Sequence, residues 1–190
     1  MRICTESFLG HLCDRRFFLK ASVFAVSAFL SNAAFPDARQ TLPDGKLTLL
    51  NIHTNDKVTV RYRNASGGYE PEALKELNWV LRCHYTGQIH DIDRNVIEIV
   101  NLVDKSFGGN NEICIISGYR SPEYNKLLIG EGRHVVKNSM HLVGKAMDVR
   151  IPGVDLCKLR DEALKLKLGG VGYYKESNFV HLDSGRIRTW

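Results

Sequence analysis

The sequence predicts an α+β fold, a small antiparallel sheet that carries chemistry on one side and is covered by helices on the other. Three observations lead there. From Ala146 to Ile151 the residues alternate, with Met147, Val149 and Ile151 on one face and Ala146, Asp148 and Arg150 on the other, as in a half-buried strand. Asn178-Phe179-Val180-His181-Leu182-Asp183 is a second such run, in which Phe179, His181 and Asp183 share a face. Between Ile92 and Phe107, apolar residues recur at three- and four-residue steps, the stripe of a helix lying on a core. At 190 residues the chain is long enough for one domain with a real core and too short for two large ones.

The chain opens on a segment that is not part of this fold. Asp14-Arg15-Arg16-Phe17-Phe18-Leu19-Lys20 precedes an uncharged apolar run from Ala21 to Leu30, and small residues follow at Ser31, Ala33 and Ala34. A charged start, an apolar centre and a small-residue exit make residues 1–34 a secretory signal peptide, leaving 35–190 as the working domain. The Arg-Arg pair ahead of Phe-Leu-Lys fits the twin-arginine type of signal. The apolar run is shorter than the roughly 20 residues that a permanent span needs, so no stable membrane insertion is expected after cleavage. With the leader go Arg2, Arg15, Arg16, Lys20, Glu6 and Asp14, and the net charge falls from +5 to +3. That mild positive charge suits an anionic polymer. Basic residues do not cluster with aromatics as a nucleic-acid surface requires, so nucleic acid is not an expected partner.

The mature part reads in order as follows. Lys46 to Arg63 is a β-hairpin turning at Asn55-Asp56, with His53 a surface residue between its strands. Pro71 opens a first helix whose inner face holds Leu74, Leu77 and Leu81. A second helix starts near Asp93 and ends at Gly108-Gly109. Glu112 to Ile116 is a short buried strand that delivers Ser117-Gly118-Tyr119-Arg120. Ser121 caps a third helix or turn from which Tyr124, Leu127 and Leu128 are expected to pack inward. Gly130 to Asn138 is an open polar loop, suited to lining a groove, and its His134 is a candidate catalytic assistant. After the Asp148 strand, a helix runs from its cap at Asp155 to a stop at Gly169, and Gly170 to Tyr174 is a short strand or an approach to the site. Beyond the leader the cysteines are Cys83, Cys114 and Cys157. None has metal-ligand spacing, and Cys114 sits in a buried apolar run.

The chemistry concentrates in Ser139-Met140-His141-Leu142-Val143-Gly144-Lys145-Ala146-Met147-Asp148. Gly144 lets the chain bend between the histidine and the strand that holds the aspartate. If the Asp148 and His181 strands pair, His141, Asp148 and His181 converge on one point. Two imidazoles and a carboxylate suit one zinc ion per chain, with a fourth position left for water.

This string resembles the zinc peptidases of the lysostaphin and D-Ala-D-Ala peptidase group, which cut peptidoglycan peptides, and its context is similar to the murein endopeptidase K subgroup. Ser117-Gly118-Tyr119-Arg120-Ser121, Lys137 to His141, Gly169 to Tyr174 and Phe179 to Asp183 carry the likeness. It covers the chain after the leader and is strongest from Ser117 onward. The resemblance implies a D-Ala-D-Ala peptidase-like fold, His141, Asp148 and His181 as zinc ligands, and Arg120 as the donor to the developing oxyanion. Tyr119 and Ser139 are candidate substrate contacts, and core packing fits Tyr119 equally. Many relatives place a Glu three residues before the last ligand. Here Asn178 stands there and cannot act as a base, which leaves Asp183 as the candidate, with Glu176 and His134 as alternatives. Asp183 fits equally as a residue that orients His181.

The expected function is a periplasmic, monomeric, zinc-dependent endopeptidase that hydrolyses the peptide cross-links joining peptidoglycan stems. Two other readings share the metal: a D-alanyl-D-alanine carboxypeptidase, and an inactive zinc-holding module that binds cell wall or a partner protein.

Overall fold

The structure, a computed structural model, describes residues 44–133 and 135–190. The expected leader, residues 1–34, and the candidate assistant His134 lie outside them. Within the described residues, seven strands form one sheet and four α-helices surround it.

The hairpin is β1 (Lys46–Asn51) and β2 (Lys57–Arg61), joined by a turn in which Asn55 takes a left-handed φ of 58°. Helix α1 (Pro71–Val80) starts on its proline, and Asp93 caps α2 (Arg94–Ser106) by accepting from Asn95 N–H. Strand β3 (Glu112–Ser117) leads to α3 (Pro122–Gly130), capped by Ser121. Then come a 3-10 helix (Met140–Val143), β4 (Ala146–Arg150), α4 (Leu156–Leu166) with Asp155 as its cap, β5 (Gly170–Tyr174), β6 (Phe179–Asp183) and the short β7 (Arg188–Thr189).

The strand order is β2-β1-β3-β4-β6-β5-β7. The two strands that hold the predicted metal ligands are the centre of the sheet and pair antiparallel, as expected. The sheet as a whole is mixed, because β1 runs parallel to β3 and β5 parallel to β7. The first parallel pair follows from the long crossover through α1 and α2, which returns the chain to the same end of the sheet before β3 begins.

One face of the sheet is covered: α2 and α4 pack on β6 and on each other, and α1 packs on β1 and β2. Leu77, Val96, Ile97, Val100, Ile113, Ile115, Met147, Leu159 and Leu182 are buried between the layers. Burying each such side chain is worth about 1.5–3 kcal/mol relative to leaving it in water.

Two local expectations are corrected. On α3 Tyr124 packs against the core as expected, but the fully buried residue is Asn125, and Leu127 is exposed. Helix α4 stops at Lys167, which takes the left-handed conformation with φ of 54°, two residues ahead of Gly169. Cys83, Cys114 and Cys157 are free thiols, the first two buried.

Candidate metal centre

Three short-range devices bring His141 to the sheet. Ser139 Oγ accepts from His141 N–H at 3.3 Å and so starts the 3-10 helix. Gly144 ends it at φ 64°, where a Cβ would lie 2.4 Å from the Asp91 carbonyl oxygen. Only glycine tolerates both conditions. Asp93 N–H then donates to the Gly144 carbonyl at 2.9 Å, tying the turn to the start of α2.

Asp148 and His181 are directly opposite each other in the β4–β6 register, so their side chains share one face. His141 Nε2 lies 3.2 Å from His181 Nδ1 and 3.3 Å from Asp148 Oδ1, and His181 Nδ1 lies 2.8 Å from the same oxygen. Donors held about 2.0–2.2 Å from a tetrahedral zinc ion stand about 3.3 Å from one another, so the triangle has the right size.

The ring nitrogens are in the right state as well. His141 Nδ1 is 2.7 Å from the Gly118 carbonyl oxygen, which can only accept, so Nδ1 carries the proton and Nε2 offers a lone pair. His181 Nε2 is 3.0 Å from Asp183 Oδ2, so Nε2 donates there and Nδ1 offers a lone pair. Three electron-rich atoms thus converge in a buried site, an arrangement that calls for a cation. Burial pushes the Asp148 carboxyl up, but His141 and His181 outweigh it and hold its pKa well below the usual carboxylate range. Burial works against a charged His181. Asp148 and Asp183 outweigh that and raise its pKa above the ordinary histidine value.

Asp183 is fully buried and its oxygens are occupied. Oδ1 accepts from Gly170 N–H, Gly185 N–H and Arg188 Nη1, and Oδ2 accepts from Arg188 Nη2 at 2.6 Å as well as from His181. Burial pushes this carboxyl up too, and His181, Arg188 and the Gly185 N–H hold it well below the usual range.

Arg120 is buried beside the cluster. Its Nη2 stands 4.0 Å from Asp148 Oδ2, its Nη1 donates to Asn125 Oδ1 at 3.4 Å, and its Nε is buried with no partner among the described residues. The register of β3 to β4 shifts between Ile115 and Ser117, just ahead of Gly118 and Arg120. The cluster opens into a cavity of about 360 Å³ that Arg120 also lines. The segment around Ser139 and Met140 lines it too, as do Tyr174, Phe179, Arg188 and Trp190.

Of the residues singled out by sequence, the structure brings Arg120, Ser139, His141, Asp148 and His181 to this cavity, with Asp183 directly behind His181. Tyr119 is elsewhere: it is buried, stacks on His90 at 4.7 Å, and donates its backbone N–H to the Leu81 carbonyl. Glu176 and Asn178 are exposed in the turn between β5 and β6 and do not line the cavity. His53 is held at Ile116 by a ring hydrogen bond, also away from it. Sequence reasoning missed Arg188, Trp190 and Asn125, whereas Tyr174 lies in the run read as a strand or an approach to the site. Arg188 and Trp190 follow the last alternating run, where no periodicity marks them.

Comparison with known proteins identifies the family of the chain. A family model described as peptidoglycan L,D-endopeptidase MepK matches residues 39–190. A probable peptidoglycan L,D-endopeptidase MepK of Haemophilus influenzae is 41% identical over 145 residues, covering 76% of this chain and 77% of that protein. The peptidoglycan L,D-endopeptidase MepK of Escherichia coli K12 is 38% identical over 144 residues, covering 76% and 79% respectively. With four fifths of its length matched by the family model, and a His-Asp-His cluster at its centre, this chain belongs to the MepK peptidoglycan L,D-endopeptidase family.

Proposed function

We propose that the protein is a zinc-dependent murein endopeptidase that hydrolyses peptide cross-links between peptidoglycan stems, at a bond joining an L to a D centre. The observation that carries the reading is the convergence of three metal-competent donor atoms in a cavity that also holds a partly unpartnered arginine.

His141, Asp148 and His181 would hold the zinc, which when bound lowers the pKa of a water and polarises the scissile carbonyl. The Gly118 carbonyl and Asp183 keep the two imidazoles in the tautomer and orientation that a ligand needs. Arg120 offers N–H groups to the oxygen on which negative charge develops, and its burial strengthens that interaction. Ser139 caps the turn that carries His141 and also lines the cavity, where it remains a candidate substrate contact. Asp183 acts as the orienting carboxylate, because both of its oxygens are already occupied.

Substrate chemistry and the expected leader together support an extracytoplasmic, periplasmic location reached by the twin-arginine route. No helix among the described residues is long and apolar enough to cross a membrane.

Purified mature protein incubated with sacculi tests the reading. Soluble muropeptides should appear and chelator should stop their release. Mass spectrometry of the products should show opened cross-links. Release of free D-alanine alone would instead identify a carboxypeptidase. Binding to sacculi with no product would identify an inactive module.

A further inference from the structure

We propose that Trp190 is a specificity-determining residue of the cleft, a fixed aromatic wall that contacts the aliphatic part of the stem residue flanking the bond to be cut. The proposal rests on the murein peptidase reading above.

Trp190 is held from several directions. Its backbone N–H donates to Val171 O at 3.3 Å, and its carbonyl accepts from Tyr173 N–H at 3.0 Å, so it extends the edge of the sheet beside β5. Its indole Nε1–H donates to the Tyr174 hydroxyl at 2.8 Å. The Arg188 guanidinium lies 4.8 Å over the ring, and this is the same arginine that grips Asp183. The ring centroid is 5.2 Å from that of His181. Even so, 48% of the residue is exposed, and it lines the cavity. A large apolar surface that is already ordered, half bare and beside a metal ligand contacts a substrate at little entropic cost.

The sequence makes room for this ring at one position. Gly172 is opposite His181 in the β5–β6 register. A Cβ on Gly172 would lie 2.7 Å from the indole Cε2. The φ of Gly172 is not in the left-handed region, so the glycine is not needed for backbone conformation. What it provides is the space in which the indole lies flat.

The experiment uses the zinc-loaded mature protein and a soluble cross-linked muropeptide. Trp190→Ala should raise KM about tenfold, a loss typical of an aromatic contact residue. It should leave zinc content and melting temperature near wild type, and change kcat little. Trp190→Phe should recover part of the loss. Gly172→Ala should shift KM in the same direction by tilting the indole, and should add nothing in the Trp190→Ala background. An unchanged KM in Trp190→Ala, or Gly172→Ala and Trp190→Ala effects that simply add, overturns the proposal.

A second readout does not need turnover. The chain has two tryptophans, and Trp79 is on α1, away from the cavity lining. In Trp79→Phe, Trp190 is the only indole, and its emission should shift when the uncross-linked stem peptide is titrated in. A silent indole in the presence of bound peptide also overturns the proposal. Failure of the peptidase reading has a different signature: the wild type releases no product, and the fluorescence titration then decides on its own whether the wall binds stem peptide.

Discussion

His141 and His181 face each other with different nitrogens, Nε2 and Nδ1, at 3.2 Å, and each ring is fixed from behind by a different acceptor. One is a backbone carbonyl, that of Gly118, and the other is the Asp183 carboxylate. Opposite tautomers are thereby imposed on two histidines 40 residues apart, and both leave a lone pair for the same ion.

The mature protein should therefore hold one zinc per chain. His141→Ala or His181→Ala should lose it, and hydrolysis with it. Elemental analysis on gel-filtered protein is the check. Full zinc content in both variants would overturn the ligand assignment whatever the activity.

Arg120→Ala should keep zinc and fold and slow cleavage. Removing one oxyanion donor typically costs about 10²–10³ in kcat. Lysine should rescue in part, since it keeps the charge but loses the planar fork. The alternative is an arginine that only braces the end of β3. Its contacts argue against that, because 3.4 Å to Asn125 and 4.0 Å to Asp148 are long and Nε has no partner among the described residues. A bracing role predicts a lower melting temperature, with activity falling only in step with folded protein. Rate, zinc and melting temperature from one preparation separate the two.

His84 supplies an acid-sensitivity test away from the metal. It stacks on His53 at 3.9 Å and meets Tyr124 edge-on at 4.9 Å. Burial, then the charges of His53 and Arg120, push its pKa down to about 4 from 6.5. Between those values the unfolded chain binds more protons than the folded one, so this group's contribution to stability falls as pH drops from 6.5 towards 4. His84→Gln should flatten that part of the melting-temperature profile relative to wild type. Parallel profiles across the window would show that His84 stays uncharged in neither state more than the other.

Export makes a separate prediction. Replacing Arg15-Arg16 by Lys-Lys should leave the precursor in the cytoplasm, detected as unprocessed chain in fractionated cells. Maturation at the normal rate would point to the general secretory route.

The sequence was readable where chemistry and periodicity coincide. Alternation placed Asp148 and His181 on strands, the apolar stripe placed α2, and Asp155 and Ser121 are the caps expected of them. Strand β7 was not readable, because two residues carry no period and it forms only by pairing with β5. The same blindness hid Arg188, whose role depends on reaching back to Asp183 from beyond the Gly185 turn. Tyr119 shows the converse limit. It adjoins Arg120 in sequence, but in a strand-end segment neighbours point apart, and it stacks on His90 outside the cleft lining.

Asp183 stands where a carboxylate either takes a proton from the attacking water or holds a metal-binding histidine. Its position two residues after His181 suits either a general base or a residue that holds the ligand. The structure favours holding, since Oδ2 serves His181 and Arg188 together while Oδ1 takes three further donors. A base needs a free lone pair aimed at the water it deprotonates, and a pKa near the working pH. Asp183 has neither, being held well below the usual carboxylate range by His181, Arg188 and Gly185 N–H. Asp183→Asn keeps the shape and removes the charge. If Asp183 orients the ligand, zinc affinity in chelator competition should weaken by about 10–100-fold, as for other residues hydrogen-bonded to metal ligands. Activity measured with excess zinc should then be substantially restored. The folded state should also weaken, because the substitution leaves the Arg188 guanidinium without its partner charge. If Asp183 is the base, zinc affinity should stay at the wild-type value while kcat collapses and added zinc restores nothing.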